Sequence, residues 1–262
     1  MARRDSVKDP AALEHANWIG YLTGVARCSS GSDVVRTGGV LSILTGMPFD
    51  WFNQVLVEED SATPDDLLAG VALARARLGP FVVRLRGGVD DRFIPLLRDA
   101  GLRSPGEATI TPGMVAHPID RELLARQAAP EFEIRRITDA AGLDVHRSVV
   151  TAGFASHPSV AAGTTCRELL DLPGCVLYVG CLDGVPVASG MGWRTGSTIG
   201  VYAISTVASA RRQGFGASMT AHVVLDGLAA GCDAAALQAS AMGRPIYERL
   251  GFRTVVRYES YA

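Results

Sequence analysis

The 262-residue sequence has almost no lysine: Lys8 is the only one, and the other basic side chains are arginine. With abundant Ala, Gly and Val, this reflects coding bias rather than chemistry. The chain has little net charge, −2 from 25 basic and 27 acidic side chains, which gives nucleic acid or an anionic membrane no global electrostatic footprint. The expected partner is therefore small or local. No uncharged apolar run reaches the ~18 residues of a membrane helix. The charged start, Met1 to Pro10, has no apolar secretory core, so a cytoplasmic protein is expected. Five cysteines (Cys28, Cys166, Cys175, Cys181, Cys232) include no C-x-x-C pair, and no histidine stands at zinc-finger spacing. The expectation is reduced, mostly structural thiols and no metal. Aromatics make up only 6%, and Trp18, Trp51 and Trp193 are scattered, so they suit the core better than a stacking platform or an aromatic cage.

What the sequence does have is the material for a core. It is 48% hydrophobic and 20% charged, with a mean hydropathy of +0.19. Disorder and fibres are excluded, and the length suits one or two domains. A seam is expected near residues 113 to 131, where Gly113, Pro118 and Pro130 bracket a polar helical stretch, Asp120 to Arg126.

Before the seam, a helix is expected over Leu13 to Ala26, and the apolar runs Val40 to Thr45 and Phe52 to Val57 form a candidate hairpin. Thr63-Pro64 starts a helix that runs to about Leu78. Phe81 to Leu85 reads as a strand, and Phe93 to Ala100 as a helix capped by Gly101. After the seam come a strand at Phe132 to Ile137 and helices at Ala140 to Phe154 and Val160 to Leu170. A meander follows, Val176 to Leu182, Val185 to Trp193 and Ile199 to Val207, joined by the hairpin-type turns Asp183-Gly184 and Thr195-Gly196-Ser197. Ala217 to Ala230 is helical, Ala234 to Ala239 is a buried strand, and a short helix near Arg244 to Leu250 precedes a last strand, Phe252 to Tyr258. The class is α/β, with a mixed sheet.

The informative junction lies between the third meander strand and the helix that begins near Ala217. Glycines Gly214 and Gly216 let the backbone approach an anion, and the first helical N–H groups lack internal partners. By itself a G-x-G is usually only a turn. A dinucleotide fingerprint would need a third glycine where Met219 stands, and no Walker lysine follows.

The pattern that does match is R-x-x-G-x-G, from Arg211 to Gly216. The stretch Tyr202 to Gly216 resembles the fourth strand and pyrophosphate loop of the GCN5-related N-acetyltransferase superfamily, with Ala208 where many members have proline. A second stretch, Leu237-Gln238-Ala239-Ser240 followed by Met242 to Phe252, resembles that family's fifth strand and its Y-x-x-x-G-F segment. The resemblance covers about residues 131 to 262. Before the seam it weakens to the strand and helix alternation of a degenerate first copy, as in tandem members. It thus implies a degenerate N-terminal domain at 1–118, a linker at 119–130 and a catalytic domain at 131–262.

The roles implied follow residue by residue. Backbone N–H groups of Arg212, Gln213, Gly214, Phe215, Gly216 and Ala217 would cradle the pyrophosphate of acetyl-CoA. Ser205, Thr206 and Val207 would pair with its pantetheine arm as an added strand. Arg211 would make a phosphate or structural contact, and Ser240 a polar contact to the cofactor. Tyr247 would be the general acid that protonates the leaving thiolate. For the base, His157 and Glu259 are the named candidates, with Tyr258, the more distant Glu168 and a water relay also open. The acceptor would be an amine of a small molecule or peptide, and a homodimer is compatible with the resemblance. The alternative is a non-catalytic module that binds acyl-CoA as a sensor or assembly subunit.

Overall fold

The computed structural model describes residues 9–77 and 79–262. The charged start Met1 to Lys8 and the helix end read at Leu78 lie outside the described residues.

Helix α1 (Pro10–Val25) begins on Asp9, whose side chain accepts from the Ala11 N–H, with Pro10 in the first turn. Strands β1 (Asp33–Thr37), β2 (Val40–Leu44) and β3 (Asn53–Val57) follow as an antiparallel meander. Helix α2 (Pro64–Ala76) opens with a reciprocal capping box between Thr63 and Asp66. Then come β4 (Val82–Arg86), α3 (Ile94–Asp99), β5 (Thr111–Ala116) and α4 (Arg121–Ala125). The remainder is β6 (Phe132–Ile137), α5 (Ala140–Phe154), α6 (Pro158–Thr164), β7 (Cys175–Leu182), β8 (Val185–Thr195), β9 (Thr198–Thr206), α7 (Phe215–Ala229), β10 (Ala234–Gln238), α8 (Arg244–Arg249) and β11 (Arg253–Tyr261).

The eleven strands among the described residues form one mixed sheet, in the order β1-β2-β3-β4-β11-β5-β10-β9-β8-β7-β6. Its centre is interleaved. The C-terminal strand β11 lies between β4 and β5, and β5 lies between β10 and β11. Each half of the chain therefore places its last strand inside the other half's sheet. One face of the sheet packs on α2, α3, α7 and α8, and the other on α1, α5 and α6.

Helix α1 seats itself through gaps left by glycine. A methyl group at Gly113 on β5 would collide with the Glu14 carboxylate, and one at Gly200 on β9 with Asn17 Oδ1. The close approach that these glycines allow brings two polar side chains of α1 into the middle of the sheet.

Several sequence expectations are corrected. Gly113 stands inside a central strand rather than at a linker, because β5 is covered on both edges by β10 and β11. The helix expected over Val160 to Leu170 is two pieces, α6 and a 3-10 turn at Arg167–Asp171, separated where Thr165 and Cys166 turn extended. Strand β1 was not foreseen: its half-exposed edge alternates weakly.

The thiols also differ from expectation. Cys28 and Cys166 form a disulfide, and Cys175, Cys181 and Cys232 are free and buried. The bridge spans 138 residues of sequence and ties the turn after α1 to the segment after α6. Closing so long a loop restricts the unfolded chain, so reduction is expected to lower stability by roughly 2–5 kcal/mol. Thiol titration in denaturant is expected to count three reactive groups before reduction and five after it. A count of five without reductant would contradict the bridge.

Candidate active site

The site is a fork in the sheet. Strands β9 and β10 run parallel and pair only from Thr198/Ala234 to Gly200/Ala236, after which they part. Beyond Gly200, β9 continues to Thr206, paired to β8 on its other edge. A bulge accompanies the parting: Ser189 pairs with Ser205 but Met191 with Tyr202, and Ala203 takes a positive φ of 50°. The β9 edge from Val201 to Thr206 is thus left without a strand on the fork side. Such an edge offers backbone donors and acceptors to an extended ligand.

At the far end of β9 lies the glycine loop. Arg212 (φ 64°) and Gly214 (φ 88°) are both left-handed, which turns the chain sharply into α7. The first helical bond is donated by the Ser218 N–H to the Gly214 carbonyl. The N–H groups from Arg212 to Ala217 donate to no acceptor among the described residues. Six consecutive donors at a helix start, with no acidic side chain in its first turn, form a concave site for an anion. Phe215 anchors the turn: it is buried and stacked on Phe132, with ring centroids 4.5 Å apart.

The other residues expected at the cofactor loop have more specific places. Arg211 holds the scaffold: its Nε donates to the Thr206 carbonyl (3.1 Å) and its Nη2 to the Gly153 carbonyl at the end of α5 (2.7 Å). The Ser205 side chain is buried against Ser189 Oγ (2.7 Å) and the Val149 carbonyl, so only its backbone faces the fork. Thr206 and Val207 are half-buried, and Gln213 is exposed. Ser240 Oγ accepts from the Gly243 N–H (3.1 Å) and so shapes the turn into α8. Tyr247 on that helix is half-buried against the α7 face of the sheet, its ring set edge-on to Phe252, and burial pushes its phenol up to about 12. It is therefore a fully protonated donor at neutral pH.

The base candidates are not brought together. His157 is exposed and caps α6, its Nδ1 accepting from the Ser159 N–H. Glu259 on β11 pairs opposite Leu85 and accepts from the Tyr261 hydroxyl (3.0 Å), two strands away from β10. Glu168 lies in the 3-10 turn after α6. No described contact joins any of the three to Tyr247.

Sequence reasoning missed a different carboxylate. Glu14 is fully buried on α1, on the sheet face opposite Tyr247. Its Oε1 accepts from Gln238 Nε2 at the end of β10 (2.6 Å), and its Oε2 lies 2.7 Å from the Tyr258 hydroxyl. One turn on, Asn17 Oδ1 accepts from the Tyr202 hydroxyl on β9 (2.7 Å). Helix α1 therefore bridges both prongs of the fork. Burial pushes the Glu14 carboxyl up to about 7, against the lowering effect of the Gln238 and Tyr258 hydrogen bonds.

The protons in this cluster can be counted. His15 Nε2 faces the Glu58 carbonyl (3.2 Å), which only accepts, so a neutral imidazole carries its proton there and Nδ1 accepts from the Tyr258 hydroxyl (2.9 Å). Burial and the Arg86 charge both favour that neutral ring. Tyr258 has one proton to give. When it donates to His15, Glu14 must be protonated and donate to Tyr258; when Glu14 is ionised, Tyr258 donates to Glu14. The signal available in sequence was slight: a Glu in a predicted helix, more than a hundred residues outside the stretch the resemblance covers and in no motif.

No protein-family model and no curated protein matches this chain. Solved structures do. A GCN5-related N-acetyltransferase from Kribbella flavida aligns over 98% of this chain and 96% of its own, with a TM-score of 0.71 at 17% identity. A tandem GNAT protein from the clavulanic acid biosynthesis pathway aligns over 97% and 95%, with a TM-score of 0.63 at 11% identity. The C-terminal domain of a putative lysylphosphatidylglycerol synthetase from Agrobacterium fabrum also aligns, over 97% and 92%, with a TM-score of 0.55 at 13% identity.

Proposed function

The chain has the GCN5-related N-acetyltransferase fold in tandem form, and from that premise we propose that it transfers the acyl group of acetyl-CoA directly to an amine of a small molecule or peptide. Fold alone does not decide chemistry. The observation that carries this reading is the run of six unpartnered N–H groups from Arg212 to Ala217, placed at the end of the free β9 edge. A diphosphate suits the loop and a pantetheine amide chain suits the edge, which together are the two ends of coenzyme A's binding half.

In this reading residues 131–262 are the catalytic copy, 1–118 the degenerate one and 119–130 the link. The equivalent loop of the first copy, between β3 and α2, carries Glu58, Glu59, Asp60, Asp65 and Asp66 and no glycine. Five carboxylates there would repel a diphosphate, so the first copy contributes α1 and β5 instead of a second cofactor site.

The amine approaches the thioester from the α1 face. Glu14, buried and ionised above about 7, takes the proton that the amine must lose through a water in the fork rather than by contact, and the Tyr258 to His15 arrangement lets the cluster settle with Glu14 protonated. The thiolate departs on the other face, where the neutral Tyr247 phenol donates. His157 and Glu259 have no part in this scheme.

The reading is tested by calorimetric titration. Coenzyme A is expected to bind at least ~100-fold more tightly than pantetheine, because pantetheine lacks the diphosphate that makes charge-assisted bonds with the loop. Equal affinities would remove the loop from the account.

A further inference from the structure

Away from the fork, on the α1 face of the first half, lies a pocket of about 190 Å³ between α1, β2, β3, β4 and α6. Its walls are aromatic and aliphatic, with Trp18, Ile43, Trp51 and Phe52 among them, and its polar floor is Gln54 and Arg84. The disulfide steadies it. Cys28 follows the wall residue Ala26 by two positions, and Cys166 follows the wall residue Thr164 by two, so the bridge ties these two wall segments together.

Arg84 is the unusual member. It is largely buried on β4, and its guanidinium donates only to neutral groups: Nε to Gln54 Oε1 (3.0 Å) and Nη1 to Ser260 Oγ (2.8 Å). Its carbon lies 5.7 Å from the centre of the Trp18 ring. Nη2 meets no acceptor, and no carboxylate stands within ion-pair distance of Arg84, among the described residues. Asp50 acts on it only across space, and burial lowers its pKa. By contrast, its neighbour Arg86, two positions along the same strand, is paired with Asp90 and Asp60. A buried cation without a counter-charge is costly unless something supplies one.

We propose that this pocket is a binding site for a small organic acid, its carboxylate on Arg84 Nη2 and its aromatic or branched apolar body between Trp18, Trp51 and Phe52. Gln54 sets the guanidinium: its amide donates to the Trp51 carbonyl (2.6 Å) while its oxygen holds Arg84 Nε, and with Nη1 on Ser260 the group left to a ligand is Nη2. The volume suits a body of about one ring. The T-shaped contact of Trp18 with Tyr258, centroids 4.1 Å apart, separates this pocket from Glu14, so the two sites bind different groups.

The test uses the full-length protein and two probes of the same shape, phenylacetate and phenylacetamide. Trp18 and Trp51 line the pocket, so tryptophan fluorescence reads occupancy. Phenylacetate is expected to give a saturable change, with phenylacetamide at least ~10-fold weaker because it cannot form the charge-assisted pair. Arg84→Gln is expected to erase that preference, and saturating coenzyme A to leave phenylacetate affinity unchanged. Equal affinities for the two probes in the wild-type protein, no saturation with either, or competition by coenzyme A would each overturn the proposal. The wild-type comparison holds whether or not the variant folds.

Discussion

Gly216→Glu is expected to reduce coenzyme A affinity by at least ~100-fold while leaving thermal stability unchanged or slightly raised. Gly216 is in the first turn of α7, with a normal helical backbone, and a Cβ there meets nothing closer than Thr206 Oγ1 at 3.8 Å. A side chain is therefore admitted without strain. A carboxylate in that turn favours the helix dipole and occupies some of the free donors, so the fold loses nothing. The diphosphate, however, would meet a like charge in place of those donors, and two unit charges about 4 Å apart in a partly screened site repel by roughly 4 kcal/mol. Calorimetric titration against coenzyme A, alongside a thermal melt, checks both halves. Retained affinity with an unchanged melt would place the cofactor elsewhere.

Glu14→Gln is expected to lower kcat/KM by about 10²–10⁴ with coenzyme A binding intact, the usual loss when a positioned general base is removed. The amide keeps the size of the side chain and can still meet Gln238 and Tyr258, so the packing of α1 survives. The pH profile separates chemistry from structure. Wild-type kcat/KM is expected to rise through about pH 7 as Glu14 ionises, and the variant to lack that limb. Stability moves in the opposite direction. A carboxyl raised from 4.5 to about 7 in the folded state binds its proton more tightly there than in the unfolded chain, so its contribution is complete below about 4.5 and is lost as pH rises through about 7. Wild-type stability is expected to fall over that window and the variant's to stay flatter. A variant with full activity and the same acidic limb would return the base to water or to another residue.

Much of the second half was legible in sequence because its signals are local. The bounds of β6 and α5 follow the apolar periodicity directly, Asp183-Gly184 turns with positive φ at both residues, and Arg211 to Gly216 sits where a strand meets a helix. The interleaving of β5 and β11 was not legible, since Thr111–Ala116 reads as a Gly- and Pro-containing seam and gains its place only from partners more than a hundred residues away. The proposed base was hidden for the same reason. Glu14 reaches the fork because Gly113 and Gly200, on two distant strands, lack side chains. The places of His157 and Glu259 were not legible from residue type: one caps its own helix, and the other faces Tyr261 on the far side of β11 from Tyr258. The Cys28–Cys166 pair likewise depends on tertiary approach that spacing does not encode.

Acyl transfer at the fork is measured most directly by incubating the purified protein with acetyl-CoA carrying an isotope label in the acetyl group, together with pooled cell extract, followed by mass spectrometry. A labelled amide on a small molecule or peptide is expected, formed by the wild-type protein and absent with Gly216→Glu. Tight coenzyme A binding with no labelled amine product would contradict it and leave an acyl-CoA-binding module.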